Sequence, residues 1–136
     1  SFNSFADAWT IKYNGFGEIF DKLKLTDGST TALYKNKGTW EDSLGNYGTR
    51  SCIGLIELNS NDKLIVGRFF CEAIDNNNDR YVFKGIRGDN NMEAGLGKMT
   101  LIDGNGKWAE MIGSTCAYAI RYKDNALFQI DNCKRN

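Results

Sequence analysis

The side chains that could do chemistry in this chain are carboxylates, guanidinium groups, phenols and thiols. The 136 residues include no histidine, which excludes imidazole-based catalytic triads and histidine-ligated metals or haem. A charged residue inside an apolar, strand-like run is a candidate, because a buried charge is costly unless it is paired or faces a ligand. Arg68, Glu72 and Arg121 fit this description. No catalytic residue can be assigned from the sequence.

Aromatic residues supply a second set of candidates for ligand contact. Tyr118 and Tyr122 share a face with Ile120 and could donate hydroxyl groups into a barrel lumen. Large rings would add apolar contact area, with an arginine or a tyrosine orienting a polar end of the ligand. The alternative is that these side chains point outward or close the barrel rim. The predicted ligand-binding set is Trp40, Arg68, Phe69, Trp108 and Tyr118.

One acidic run has the spacing of a calcium-binding loop. Residues 75–79 read D-N-N-N-D. The glycine expected next is Arg80, and Ile86 stands where the loop needs a glutamate. We interpret the run as a solvated turn, and we predict neither a metal site nor a cofactor.

The four cysteines, Cys52, Cys71, Cys116 and Cys133, contain no C-x-x-C pair. The midpoint between Cys52 and Cys71, position 61.5, falls inside the turn residues 59–62, and the midpoint between Cys116 and Cys133, position 124.5, falls inside 124–125. Residues placed symmetrically about an even-length hairpin loop lie opposite each other, within reach of a disulfide. We therefore predict the disulfides Cys52–Cys71 and Cys116–Cys133. A four-thiolate zinc site and four free thiols in a cytosolic barrel are the alternatives.

The register of the second hairpin stays open at this stage. The cysteine pairing places Ile120 opposite Gln129. It also places Tyr118 opposite Asp131. A three-residue loop would instead place Ile120 opposite Phe128, which looks better packed. A bulge close to the second cysteine would reconcile the two registers.

The cysteine pairing indicates the cellular compartment, and the charge balance indicates which classes of partner the protein can bind. Disulfides persist in oxidising compartments, so we predict a secreted or periplasmic protein. The 17 basic and 17 acidic residues give no formal net charge, which argues against a nucleic-acid partner. Uninterrupted apolar runs are too short to cross a bilayer, so we predict no membrane insertion.

The elements that must position these residues are strands. Short runs rich in β-branched and aromatic residues alternate with clusters of Gly, Asn and Asp. The run at 64–70 is apolar on both faces, which favours a barrel over a sandwich with one wet face. We predict one all-β domain over 1–136, a single antiparallel β-barrel of about eight strands. The predicted strands are 5–13, 29–41, 47–58, 63–74, 80–87, 95–102, 107–112, 114–123 and 126–132, with 16–25 as a further strand or as one or two helical turns.

A glycine-rich stretch carries a resemblance to a known barrel family. Residues 104–108 read G-N-G-K-W, Gly113 follows four residues later, and a partial echo, G-L-G-K, occupies 95–98. The arrangement resembles the dirigent and allene-oxide-cyclase barrels, which are calycin-like and use this spacing to join two strands. The resemblance covers roughly 64–123. It implies an eight-stranded antiparallel barrel, often trimeric, with a hydrophobic lumen for small organic molecules, and it carries over no catalytic residue.

A second resemblance is weaker and gives an alternative architecture. Residues 38–40 read G-T-W, which is similar to the G-x-W that opens lipocalin and avidin barrels. The chain after Trp40 is short for a lipocalin, and a buried structural tryptophan is the other interpretation. Both resemblances imply a barrel built around a cavity.

Together these patterns favour a binding module over an enzyme. We expect an extracytoplasmic barrel that holds a small, partly apolar organic ligand in its lumen. One alternative is an isomerase or cyclase of the allene-oxide-cyclase type, which would need a buried carboxylate in an open lumen. The other is a structural homo-oligomer, a dimer or trimer, whose apolar outer face forms subunit contacts without a ligand.

Peptide mapping under non-reducing conditions tests the hairpin interpretation of the cysteines. We expect peptides that join Cys52 to Cys71 and Cys116 to Cys133, because each pair straddles its own turn. A peptide that joins Cys52 to Cys116 would contradict the interpretation.

Overall fold

The fold is an eight-stranded antiparallel barrel, seen in a computed structural model that describes residues 7–88 and 95–136. Each strand pairs with the next along the chain, and β8 pairs with β1 to close the sheet. The predicted fold class is confirmed. The strands are β1 (Ala8–Lys24), β2 (Thr30–Asp42), β3 (Tyr47–Leu58), β4 (Leu64–Asp75), β5 (Arg80–Gly88), β6 (Leu96–Gly104), β7 (Thr115–Lys123) and β8 (Ala126–Lys134).

The predicted elements at 5–13 and 16–25 form one continuous strand, β1; residues 5 and 6 lie outside the described part of the chain. The helical alternative for 16–25 is wrong. β1 pairs with β2 from Ile11 to Lys24, with a bulge between Ile19 and Asp21. This long ladder outweighs the local helical spacing, since a helix of so few residues has little stability of its own.

The strand predicted at 107–112 is also wrong, because this segment is a 3-10 helix, Gly106–Met111. The positive φ of Gly106, 55°, turns the chain out of β6 in a conformation that glycine adopts at little cost. The helix buries Trp108 and Met111 and joins β6 to β7. The aromatic signal in this segment therefore belongs to the core at one end of the barrel. The described residues contain no helix that is long and apolar enough to cross a membrane.

Both predicted disulfides are confirmed. Cys52 on β3 is bonded to Cys71 on β4, and Cys116 on β7 is bonded to Cys133 on β8. All of these cysteines are buried and face the lumen. Each disulfide joins consecutive strands from the inside of the barrel, and no thiol is left to bind zinc.

The second hairpin follows the cysteine register without a bulge. Ile120 lies opposite Gln129, and Tyr118 lies opposite Asp131. These side chains are buried in the lumen, whereas Phe128 faces outward and is 42% exposed. The alternative register, which places Ile120 opposite Phe128, is wrong. Gln129 and Asp131 belong to a polar layer inside the lumen.

Four of the hairpins share one turn geometry. In each, the fourth loop residue donates its backbone N–H to the carbonyl of the first, whose own N–H bonds to the carbonyl of the fifth. The fourth residue has a positive φ, which is the pattern of a type I turn followed by a left-handed residue. These residues are Gly28, Gly45, Asp62 and Asn78.

The lumen near the 3-10 helix is filled by packed aromatic rings. Trp40, Tyr81 and Trp108 contact one another with ring centroids 4.4 to 6.3 Å apart. All three are almost fully buried. This closed end is packed as an ordinary hydrophobic core.

A buried ion pair crosses the middle of the lumen. Arg50 Nη1 on β3 donates to Asp131 Oδ2 on β8 at 2.7 Å, and Gln129 Nε2 donates to Asp131 Oδ1 at 2.7 Å. The guanidinium also lies 4.3 Å from the ring centroid of Tyr13. Burial alone would lower the pKa of Arg50, but attraction to Asp131 outweighs it and the pKa lies above its ordinary value.

Removing one partner of this pair tests its structural role. We expect Arg50→Met to lower the free energy of unfolding by about 3–5 kcal/mol, because it leaves the Asp131 carboxylate buried without its cation. The double variant R50M/D131N should recover part of the loss, since the asparagine oxygen still accepts from Gln129. Chemical denaturation followed by circular dichroism measures both values.

The exposed pair of Lys35 and Glu18, 3.4 Å apart, provides the matched control. Lys35→Met should change stability by less than about 1 kcal/mol. A double variant no more stable than R50M alone would show that the loss does not come from an unpaired carboxylate.

Candidate functional site

The lumen is open at the end opposite the 3-10 helix, where it forms a cavity of about 210 Å³. Ile19, Tyr34 and Tyr122 line the cavity and are partly exposed, so they form its mouth. Gln129 and the Cys52–Cys71 disulfide also line it. Gln129 binds Asp131 directly, so the cavity begins where the polar layer ends.

The walls of the cavity are mainly apolar. Ile56, Leu64 and Phe69 contribute hydrocarbon surface, and the Cys52–Cys71 disulfide adds a polarisable patch. Gly67 faces inward among them and leaves space where a side chain would stand. An apolar wall with a few polar groups is the usual composition of a small-molecule site.

Glycines on neighbouring strands make room for the aromatic rings of the site. Phe69 on β4 lies opposite Gly85 on β5, and Tyr118 on β7 lies opposite Gly97 on β6. A Cβ atom at Gly85 would come within 2.2 Å of the Phe69 ring, and one at Gly97 within 2.3 Å of the Tyr118 ring. The two rings therefore lie flat on the backbone of the next strand, and they contact each other edge to face at 5.6 Å.

A chain of hydrogen bonds follows one side of the cavity. Tyr13 donates its hydroxyl to Asn36 Oδ1 at 2.5 Å, and Asn36 Nδ2 donates to the Tyr34 hydroxyl at 3.4 Å. The hydroxyls of Tyr34 and Tyr122 share a hydrogen bond of 2.7 Å. These groups satisfy one another and link β1, β2 and β7 around the mouth.

Tyr118 and Arg87 are two further polar residues of the cavity lining. The Tyr118 hydroxyl is buried and has no hydrogen-bond partner among the residues at 7–88 and 95–136. Burial raises the pKa of this hydroxyl, while the nearby Arg87 cation lowers it. The net effect is upward, so the phenol stays protonated and can donate a hydrogen bond.

The structure divides the predicted ligand-binding set between two places. Phe69 and Tyr118 line the cavity, and their contact with a ligand stays a prediction. Arg68 also contributes to the wall, but it alternates with Phe69 along β4 and its side chain is exposed. Trp40 and Trp108 lie in the aromatic core of the closed end, 6.3 Å apart by ring centroids.

Other charged candidates lie on the outside of the barrel. Glu72 accepts a hydrogen bond from Arg80 Nε at 2.9 Å, and both side chains are largely exposed. Arg121 is exposed on the outer face of β7. Sequence reasoning missed Arg87, although its alternation with Phe83 and Gly85 along β5 would have placed it on the inward face.

The acidic run at 75–79 is a turn, as the sequence interpretation expected. Asp75 accepts hydrogen bonds from the backbone N–H groups of Asn77 at 2.7 Å and Asp79 at 3.0 Å. It also accepts one from Trp108 Nε1 at 2.8 Å. The carboxylate therefore holds the β4–β5 turn against the 3-10 helix. No cluster of residues suited to a metal occurs in the described ranges.

The outer surface of the barrel carries many exposed apolar side chains. Ile53 lies opposite Phe70, and Leu55 lies opposite Leu33. Ile53 is 64% exposed, so the residues at 7–88 and 95–136 leave the outer face of β3 and β4 uncovered. The homo-oligomer expected from the sequence, a dimer or trimer, stays a prediction.

No model of a known protein family matches the chain, and a comparison with curated proteins gives no significant match. The closed eight-stranded barrel is an observation. Kinship with the dirigent and allene-oxide-cyclase barrels, or with the lipocalins and avidins, stays a prediction from short motifs.

The pKa of Asp75 gives a prediction about acid stability. Burial alone would raise this pKa, but hydrogen bonds from Trp108 and from the backbone of Asn77 and Asp79 hold it below its ordinary value of 3.8. A depressed carboxylate pKa adds stability above the unfolded-state pKa, and this is lost as the pH falls through the folded-state pKa. We expect Asp75→Ala to cost about 1–3 kcal/mol at pH 7 and clearly less at pH 2.5.

Urea unfolding of the wild type and the variant at both pH values measures this difference. Glu57→Ala, an exposed carboxylate on β3, controls for the loss of a negative charge. An equal cost of Asp75→Ala at the two pH values would show that the carboxylate acts by packing and not by its charge.

Proposed function

We propose that this protein is a small-molecule binding module, an extracytoplasmic β-barrel that holds a small, partly apolar ligand in its lumen. The observation that carries the proposal is the cavity of about 210 Å³ at the open end, with apolar walls and a few polar groups. Drug-sized ligands occupy larger pockets, of roughly 300–1,000 Å³. An apolar cavity of about 150 Å³ accommodates benzene, so the ligand is about the size of one substituted ring.

The disulfides support the extracytoplasmic part of the proposal. Both are closed in the lumen, and structural disulfides persist in oxidising compartments. A secreted or periplasmic location follows as part of the same proposal.

Binding is favoured over catalysis by the state of the buried carboxylate. An isomerase or cyclase in this lumen would need an available acid or base. Asp131 is fully buried, and its two oxygens accept hydrogen bonds from Arg50 and Gln129. This carboxylate is engaged in holding the barrel, so the cavity offers shape and hydrogen bonds in place of proton transfer.

A cavity-filling variant tests whether the lumen binds a ligand. Toluene is the probe, because it matches the size of the cavity and needs no polar contact. We expect toluene to bind the wild type saturably, with a dissociation constant of about 1 mM or lower, and to shift the amide signals of Leu64 and Phe69 in an NMR titration. Gly67→Val should abolish this binding, because its methyl groups would occupy the cavity. A Cβ atom at Gly67 meets Ile56 Cγ2 at 3.4 Å and Leu64 Cδ1 at 3.7 Å, which are ordinary contacts, so we expect the variant to fold.

Gly88→Val is the matched control. Gly88 lies opposite Val66 on the same pair of strands, and a Cβ atom there meets no described atom within 4 Å. This variant should bind toluene as the wild type does. Failure of toluene to bind the wild type, or equal binding by Gly67→Val, would overturn the proposed function.

A further inference from the structure

We propose that the cavity selects uncharged, single-ring ligands that carry one hydrogen-bond acceptor, such as a nitrile or a carbonyl group, and that the Tyr118 hydroxyl donates to this acceptor. The inference rests on the proposed function, because it names the chemical class of the ligand in the same cavity.

The Tyr118 hydroxyl is a donor that the protein leaves unused. The side chain of Tyr118 lines the cavity and is only 3% exposed. Its hydroxyl has no hydrogen-bond partner among the residues at 7–88 and 95–136. A buried polar group without a partner costs free energy. An acceptor on a bound ligand would recover this free energy, whereas a purely apolar ligand would leave the donor unsatisfied and shielded from water.

The position of this donor is fixed by its neighbours. The Tyr118 ring contacts Phe69 edge to face, with ring centroids 5.6 Å apart. A Cβ atom at Gly97 would lie 2.4 Å from the Tyr118 hydroxyl oxygen, so the ring occupies the space that a side chain on β6 would need. A donor that is already held in place loses little conformational freedom when a ligand binds. The acceptor of the ligand is therefore expected beside β6 and β7.

The other polar side chains of the lining do not offer an equivalent donor. Apart from the exposed Arg68, each one in the described ranges already interacts with another group. These side chains are Tyr34, Asn36, Arg87, Tyr122 and Gln129. A ligand acceptor at any of these positions would compete with an existing interaction. Tyr118 gains a hydrogen bond without losing one, so the acceptor is assigned to Tyr118.

The apolar wall and the volume limit the rest of the ligand. Ile56, Leu64 and Phe69 present no hydrogen-bonding side chain. An ionised group beside them would lose its hydration, and one hydrogen bond from a neutral phenol does not compensate for that loss. The volume of about 210 Å³ accepts one ring with one small substituent, judged by the benzene-sized cavity of about 150 Å³. Benzonitrile meets these limits, and its nitrile accepts a hydrogen bond but cannot donate one.

The test compares benzonitrile with toluene on the intact protein by NMR titration at pH 7. Benzonitrile should displace toluene from the wild type, because both occupy the same cavity. In Tyr118→Phe, the affinity for benzonitrile relative to toluene should fall about five-fold, which corresponds to about 1 kcal/mol for one neutral hydrogen bond. Infrared spectroscopy gives a second readout. The nitrile stretch of bound benzonitrile should lie at a higher frequency in the wild type, where the nitrile accepts a hydrogen bond, than in Tyr118→Phe.

Tyr118→Phe keeps the aromatic ring on Gly97 and removes a hydroxyl that bonds to no described residue. The variant should therefore fold and should still bind toluene. Tyr47→Phe is the matched control, because it makes the same chemical change at a side chain that is 61% exposed on β3 and lies outside the cavity lining. It should leave both the relative affinity and the nitrile frequency unchanged.

The outcomes separate this inference from the proposed function. An unchanged relative affinity or an unchanged nitrile frequency in Tyr118→Phe, with toluene still bound, would overturn the acceptor inference and leave the proposed function in place. An equal fall of the relative affinity in Tyr47→Phe would overturn the assignment to Tyr118. Failure of toluene to bind the wild type would overturn both proposals.

Discussion

The ion pair of Arg50 and Asp131 is the constraint on which the rest of the lumen depends. An eight-stranded barrel has an interior just wide enough for side chains to fill, and two charges in its middle need each other and further hydrogen bonds. Gln129 donates a hydrogen bond to Asp131, Arg50 Nη2 donates to Met99 Sδ, and the guanidinium lies over the ring of Tyr13. The pair separates a packed aromatic end from an open end, so the position of the cavity follows from where the charges meet.

The open end depends on a second structural feature: aromatic rings of one strand lie on glycines of the next strand. Phe69 on Gly85 and Tyr118 on Gly97 lie flat along the wall instead of filling the lumen. Glycine weakens a strand, and the covering ring restores part of the loss by packing on the exposed backbone. The glycines thereby convert space inside the barrel into a cavity with aromatic walls.

Much of the fold could be predicted from the sequence, because the sequence features that mark the strands and hairpins are local. Turn residues marked the hairpins, and the symmetric spacing of the cysteines about those turns predicted both disulfides. The 3-10 helix at Gly106–Met111 was missed, because a short run with apolar residues reads as a strand until its burial at the barrel end is known. The register of the second hairpin was open because it depends on Arg50, which lies 81 residues from Asp131. Of the predicted ligand-binding set, Phe69 and Tyr118 line the cavity, whereas the two tryptophans lie in the core of the closed end, because aromatic character alone does not tell a core ring from a cavity-lining one.

The closing seam between β1 and β8 has a consequence for how the barrel can assemble. All other strand pairs join neighbours along the chain, so they form through short loops at a small entropic cost. The seam brings together strands from opposite ends of the barrel sequence, with Trp9 opposite Cys133 and Tyr13 opposite Gln129. β8 also carries Asp131, whose partner Arg50 lies on β3, so the seam and the ion pair depend on the same strand being in place. Closure of the barrel and neutralisation of its interior are therefore one cooperative event, and a meander left open along this line would expose an unpaired charge together with two bare strand edges.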